Sequence, residues 1–182
     1  MAKILMVLGS ERDNGFQSQL ANEIKTIIGE RAEVSFLDYS ELPFINQDIE
    51  FPAPASVTAA RNAFEKADGI WFVAPVYNDT FSPQVKNLLD WISRPVVAGE
   101  RPTAVSNGVK ITFSSASASD SFEHMFADVL RLAKFIGMDV LEEPLFGHNL
   151  TSEWGTGELA LTEDERAAIE AQVSAFLAKI AD

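Results

Sequence analysis

The stretch "KILMVLGSERDNGFQSQLANEIKTII" (Lys3–Ile28) changes character twice, and its reading decides the fold. Lys3–Leu8 is a continuous apolar run of strand length. Gly9–Gln17 is polar and turn-forming, interrupted only by Phe16. From Phe16 onward Leu20, Ile24, Ile27 and Ile28 recur at helical spacing. A helix N-terminus presents unpaired N–H groups and a positive dipole end, so a strand-to-helix loop of this composition is a natural anion site. Gly9 lets the backbone turn and Gly15 exposes backbone amides. Ser10 and Gln17 offer side-chain donors, and Arg12 offers a bidentate fork for a phosphate. The other reading of the bare pattern is an ordinary solvated turn with Asn14-Gly15 at its tip. There is no G-x-G-x-x-G and no G-x-x-x-x-G-K-[ST], so a dinucleotide fingerprint and a nucleotide-hydrolysing P-loop are both excluded.

The alternation continues along the chain. Strand-like runs fall at Ala32–Asp38, Gly69–Pro75, Val109–Ser115 and Gly137–Leu141. Helical stripes run through Val57, Ala60, Phe64 and Ala67, with Ser56 as N-cap, and through Val85, Leu88, Leu89 and Ile92. Further stripes follow from Phe122 to Ile136 and from Ile169 to Ile180, the last opened by a Thr162–Glu165 capping box. Five strands and five helices interleaved, with strands so uniformly apolar, predict a parallel sheet covered on both faces in one domain over 1–182. The loops after such strands gather at one sheet edge, where ligands bind. Three qualify: Gly9–Gln17, Pro75–Ser82 and Ser114–Ser121.

Composition narrows the partners. The chain has 182 residues, 47% hydrophobic and 23% charged, which describes a globular protein with an ordinary core. A formal net charge of −13 argues against nucleic acid and anionic membrane surfaces, and an anionic ligand must be held by local donors against the global field. With no cysteine there is no disulfide, thiolate metal site or cysteine nucleophile. Ile4–Leu8 is too short for a signal peptide or a membrane span, so the expectation is a cytoplasmic protein without membrane insertion.

The second loop is the most informative. In "APVYNDTFSPQVKNLLDWISRP" (Ala74–Pro95) a buried strand ends at Pro75, and Val76, Tyr77 and Asn78 follow at once. Pro83 stands just inside the next helix, where proline is tolerated. An aromatic and an amide beside exposed N–H groups suit a flat ligand with a polar edge. This P-x-Y-N strand end, followed by K-N-x-L-D-W-x-S-R-P, resembles the NAD(P)H-dependent FMN reductase family of flavodoxin-like proteins, which includes quinone, chromate and azo-dye reductases. Matching residues are Pro75, Tyr77, Asn78, Lys86, Asn87, Leu89, Asp90, Trp91, Ser93, Arg94 and Pro95, with Gly9, Ser10, Arg12, Leu20 and Ala21 in the first loop and helix. "FIGMDV" (Phe135–Val140) is similar to the family's L-G-M segment.

The resemblance implies a flavodoxin-like sandwich with strand order 2-1-3-4-5. It implies bound FMN, with the phosphate in the first loop near Ser10, Arg12, Gly15, Phe16 and Gln17. The ring edge would run along Pro75, Val76, Tyr77 and Asn78, with Ser115 and Ser117 of the third loop beside it. NADPH or NADH would be the electron donor and a quinone, free flavin or azo compound the small-molecule acceptor, in a homodimer or homotetramer. The chain departs from the family pattern where Gly15 replaces a serine, Val76 a glutamate and Asp79 a glycine, and where Ser114–His124 carries no glycine. Two other classes fit the same fold: a flavodoxin-type electron carrier and a flavin-free binding module. No catalytic triad is expected, His124 and His148 are read as ordinary helix and loop residues, Trp154 as a packed loop aromatic, and Glu41–Glu50 as a solvated loop.

Overall fold

Successive residues of β1 (Ala2–Leu8) enter two different cores. Ile4 and Met6 pack with α1 (Phe16–Ile28), while Leu5 and Val7 face the opposite side of the sheet. Such alternation in a strand apolar on both faces is what a sheet sandwiched between helices requires. The computed structural model describes residues 1–118 and 122–182.

After α1 come β2 (Ala32–Phe36), α2 (Ala55–Lys66) and β3 (Gly69–Val73). A small hairpin follows, β4 (Val76–Tyr77) and β5 (Thr80–Phe81), then α3 (Pro83–Ile92) and β6 (Lys110–Ser117). The chain continues through α4 (Phe122–Phe135), β7 (Asp139–Val140), β8 (Phe146–Asn149), α5 (Glu153–Thr156) and α6 (Glu163–Ala181). The main sheet is parallel in the order β2-β1-β3-β6, with β7 and β8 both paired to β6. This is the expected 2-1-3-4-5 flavodoxin-like order, with the fifth strand in two pieces. β7 pairs with the beginning of β6, and β8 with its end, Ser114 opposite Phe146 and Ser117 opposite Asn149. The interruption contains exposed Glu142 and Glu143 and Pro144, which has no N–H to give to a ladder. Because β8 supplies partners there, β6 runs to Ser117, two residues past its expected end.

Helices α2, α3 and α4 meet one face and α1 and α6 the other. Trp71, Phe72 and Phe113 are fully buried, with the rings of Phe72 and Phe113 stacked at 4.8 Å. Burial of each such side chain stabilises the fold by roughly 1.5–3 kcal/mol, so the platform beneath the loops is rigid. A buried polar network also ties α6 to the sheet. Gln172 Nε2 donates to Thr112 Oγ1 and to the Phe113 carbonyl, both at 2.8 Å, and Ser114 Oγ donates to Gln172 Oε1 at 3.0 Å. The Thr162–Glu165 capping box forms as expected. Ser56 does not cap α2: the helix begins at Ala55 behind Pro54, placing Ser56 inside its first turn.

Candidate functional site

The first loop turns tightly against the second. Gly9 N–H donates to the Val73 carbonyl at 2.8 Å, and a β-carbon on Gly9 would lie 2.7 Å from Ala74 Cβ and 3.0 Å from Ser82 Oγ. Only glycine lets the two loops approach this closely. Ser10 Oγ accepts the Arg12 N–H at 3.3 Å, which leaves the Ser10 hydroxyl proton free to donate. Arg12 is exposed and makes no ion pair among the described residues. Gly15 is the N-cap of α1 and supplies no capping side chain, so the N–H groups of Phe16, Gln17 and Ser18 have no acceptor within the helix.

Gln17 behaves differently from its expected role as a side-chain donor to a phosphate. It is buried at 5% exposure, its Nε2 donating to the Ala116 carbonyl at 2.5 Å and its Oε1 accepting the Ala116 N–H at 3.3 Å. The side chain joins α1 to β6, and only the backbone N–H of Gln17 stays at the loop. Beneath the loop, the Tyr39 hydroxyl donates to the Leu8 carbonyl, and burial pushes that hydroxyl well above its ordinary pKa.

The second loop is a two-residue hairpin. Val76 pairs with Phe81 and Tyr77 with Thr80, and the turn residues Asn78 and Asp79 have φ of +49° and +67°. Positive φ at both central positions is the tight turn that matches the twist of flanking strands. Tyr77 is 43% exposed and Asn78 also faces solvent. The Asp79 carboxylate turns toward α4, both oxygens 3.1 Å from His124 Nδ1. Ser82, the N-cap of α3, makes no capping bond, and its buried Oγ has no hydrogen-bond partner.

Of the third loop, Ser115 and Ser117 lie on β6, both buried, and Ser115 Oγ has no partner. The end of that loop, 119–121, lies outside the described residues. The chemistry of the donor set is plain. Two helix N-termini without side-chain caps, a free guanidinium and the hydroxyls of Ser10, Ser82 and Ser115 converge on one sheet edge. Their common need is an acceptor-rich, anionic ligand, and the phosphate of a flavin mononucleotide fits it.

Several contributors were not legible as such. Trp154 stands edge-on to Phe16 at 5.2 Å between centroids and is 56% exposed, so it flanks the start of α1 rather than packing away from it. Gln19 Nε2 donates to the carbonyls of Asn14 and Gly157, and its Oε1 accepts the Leu159 N–H at 2.7 Å, tying the first loop to the segment after α5. The motif residues of α3 hold the 43–50 segment. Asn87 Nδ2 and Trp91 Nε1 donate to the Pro43 carbonyl at 2.9 and 2.7 Å, and Arg94 grips Glu50 through two bonds at 2.8 and 2.9 Å. Glu50 is buried at 3% exposure, so the end of the loop expected to be solvated is anchored. Beside the first loop this leaves a hollow of about 300 Å³ lined by Glu11, Tyr39, Leu42, Phe44, Gln84 and Asn87. Larger hollows, near 550 Å³, are lined by residues outside these three loops.

His148 is buried at 5% exposure, its Nε2 2.9 Å from Glu153 Oε1 and its Nδ1 2.7 Å from Glu165 Oε1. It is a clamp between β8, α5 and α6 rather than an ordinary loop residue. The Glu153 carboxyl is held down at about 2 by its own N–H, by that of Thr151 and by the His148 ring, against the effect of burial. Burial pushes the Glu165 carboxyl up, but Thr162 and His148 outweigh it and leave the group below its ordinary value.

Residues 2–148 match the model of a family described as NADPH-dependent FMN reductase. The chain is 35% identical over 106 residues to a 2-hydroxy-1,4-benzoquinone reductase of Burkholderia sp, a match covering 57% of this chain and 58% of that protein. It is 28% identical over 137 residues to an NAD(P)H-dependent FMN reductase of Pseudomonas aeruginosa, covering 72% and 74%. The aligned stretch thus spans little more than half the length of several curated relatives, 58% for the Burkholderia and Solanum tuberosum proteins. Among solved structures, FerB, a flavoenzyme NAD(P)H:(acceptor) oxidoreductase from Paracoccus denitrificans, superposes with a TM-score of 0.85 at 20% identity, over 100% of this chain and 98% of that one. That likeness establishes a shared flavodoxin-like fold. With the family model covering 2–148, the chain belongs to the NADPH-dependent FMN reductase family.

Proposed function

We propose that the chain is an FMN-dependent NAD(P)H oxidoreductase, delivering a hydride equivalent from NADPH or NADH, by way of bound FMN, to a small-molecule acceptor such as a quinone, free flavin or azo compound. The observation that carries this reading is the α1 N-terminus, which lacks a side-chain cap and stands beside unpaired Arg12 and in contact with the hairpin loop through Gly9. Ser10, Arg12 and the backbone amides of Phe16 and Gln17 hold the phosphate. Pro75, Val76, Tyr77 and Asn78 line the ring edge, and Ser115 and Ser117 stand beside it. When bound, FMN supplies the hydride chemistry; the protein supplies position and hydrogen-bond donors. No metal and no nucleic acid is required.

The whole of 1–182 serves as one flavin-binding domain in the cytoplasm, as a homodimer or homotetramer. Exposed Phe44, Phe51, Val96, Val97 and Phe135 support that assembly, because apolar surface of this kind is what subunit contacts cover. Among the described residues no helix is long and apolar enough to cross a membrane.

The test is an anaerobic absorbance spectrum of protein mixed with FMN and freed of excess, before and after NADPH or NADH. A retained flavin band that bleaches with either nucleotide is the expected result. A retained band that resists both points to an electron carrier, and absence of any band overturns the flavin site.

A further inference from the structure

Reduction of a quinone to a hydroquinone takes up one hydride equivalent and one proton, so the acceptor needs a proton source within reach. Two titratable side chains meet at the tip of the hairpin. His124 Nδ1 lies 3.1 Å from each oxygen of Asp79, a contact that joins the turn to the first helical residues of α4. Asp79 directly follows Asn78, so the pair stands one residue beyond the segment assigned to the ring edge.

The turn indicates that Asp79 is held there for its carboxylate. At a φ of +67° glycine sits without strain, whereas an aspartate costs stability. The ion pair that results is 74% exposed on the histidine side and 63% on the aspartate side. Such a pair, immersed in water, returns little stability. Anchoring the turn to α4 is therefore a poor account of why a charged residue stands where glycine would serve.

The surroundings favour a protonated ring. Asp79 faces His124 from the hairpin, and Glu123 and Asp128 face it from its own helix. The hydrogen bond and charge of Asp79, then the charges of Glu123 and Asp128, raise the imidazole above its ordinary pKa. Asp128 is itself in contact with Thr80 Oγ1 at 3.2 Å and with Arg131 at 3.9 Å. With Nδ1–H directed at Asp79, Nε2 has no hydrogen-bond partner among the described residues and remains available as a donor.

On the reductase reading above, we propose that His124, oriented by Asp79, donates the proton that completes reduction of a quinone acceptor. The reductant is the nicotinamide dinucleotide, which supplies two electrons and one hydrogen as a hydride equivalent. The Nε2–H bond of His124 breaks as an O–H bond forms at the quinone oxygen, leaving a neutral imidazole that takes a proton from water. One NAD(P)H, one proton and one quinone give one NAD(P)⁺ and one hydroquinone. His124 would be a catalytic residue; Asp79 is the positioning residue that fixes its ring and charge.

The test uses the full chain with His124→Gln and Asp79→Asn variants. In an imidazole NMR titration, where His124→Gln assigns the resonance against His148, Asp79→Asn lowers the His124 midpoint; an unmoved midpoint overturns the pairing. With FMN bound, rates are compared for 1,4-benzoquinone and for ferricyanide, a one-electron acceptor that takes no proton. In His124→Gln the quinone-to-ferricyanide rate ratio falls by about a hundredfold or more, the low end of what a general acid contributes. In the parent that ratio declines as pH rises through the His124 midpoint, and in His124→Gln it is flat. An unchanged ratio, with flavin that bleaches normally, overturns the proton-donor role and leaves the reductase reading standing. Flavin that is never bleached by NADPH or NADH overturns that reading, and the proton-donor role with it.

Discussion

A β-carbon placed on Gly9 would stand 2.7 Å from the β-carbon of Ala74, nearer than real side chains approach. The first two loops of the candidate site therefore touch through backbone, and their separation is set by the absence of one methyl group. Gly9→Ala must open that contact or shift Ala74, a form of overpacking that costs about 1–3 kcal/mol. The expected outcome is a lower Tm, by roughly 2–4 °C per kcal/mol for a chain of this size. FMN affinity also falls by at least tenfold, read by flavin fluorescence titration. Retained affinity with a lowered Tm would show that the loop contact serves stability alone.

On the proposed reading, Arg12 acts on the phosphate of the ligand and on nothing else in it. Arg12→Ala removes a charged donor whose hydrogen bonds are worth about 1.5–3 kcal/mol, which corresponds to roughly a ten- to hundredfold loss of FMN affinity. Riboflavin, which lacks the phosphate, binds parent and variant alike. Calorimetric titration of both ligands into both proteins measures the difference. An equal loss for riboflavin would move Arg12 away from the phosphate.

The clamp around His148 makes a prediction about acid. The Glu153 carboxyl sits at about 2 in the folded chain against an ordinary value near 4.5. A depressed folded-state value means stability that is fully present above about pH 4.5 and is lost as pH falls toward 2. Glu153→Gln removes that contribution and leaves His148 without one of its two carboxylates. Breaking a buried pair in this way costs about 3–5 kcal/mol near neutral pH. Urea unfolding at several pH values should show a less stable variant whose stability declines less between pH 4.5 and 2 than that of the parent.

Gln172 lies on the α6 side of the sheet, behind the start of the third loop, and tests the fold. Gln172→Leu keeps the volume but deprives Thr112 Oγ1 and the Phe113 carbonyl of their donor. Ser114 Oγ loses its acceptor in the same change, although it still accepts from Trp71 Nε1 at 3.0 Å. Stranding buried polar groups costs about 1–3 kcal/mol each. A fall in Tm with FMN affinity unchanged is expected, by thermal unfolding and fluorescence titration respectively.

The pattern of legibility in the sequence has a physical basis. β1 and β3 were readable because strands buried on both faces must be apolar throughout, β2 by alternation at its centre, and Thr162 with Glu165 because a capping box is a local hydrogen-bond arrangement. β8 is a four-residue strand beyond Pro144, and its identity comes from its pairing with the end of β6 and from Phe122, whose ring occupies the space a side chain on Gly147 would need. No local pattern encodes such a partner. The hairpin was hidden because Asn78-Asp79 replaces the asparagine-glycine signature of its turn. In the candidate site, the glycines, Ser10 and Arg12 could be read from one loop. Gln17 was misread because its amide is bound by a residue on β6. Asn87, Trp91 and Arg94 stood out as a motif, but that they hold Pro43 and Glu50 depends on a loop whose course the sequence does not reveal.

The hydrogen bonds of Gln17 and Gln19 have a consequence for how the molecule is made. Gln17 reaches a partner 99 residues further along the chain, and Gln19 reaches two that are 138 and 140 residues away. On a ribosome, the glycine loop and its helix emerge well before their side-chain anchors at Ala116, Gly157 and Leu159. The glycine loop thus waits for residues as far on as Leu159 before its shape is complete, and a stalled chain ending before Gly157 would expose the loop without the bonds that shape it.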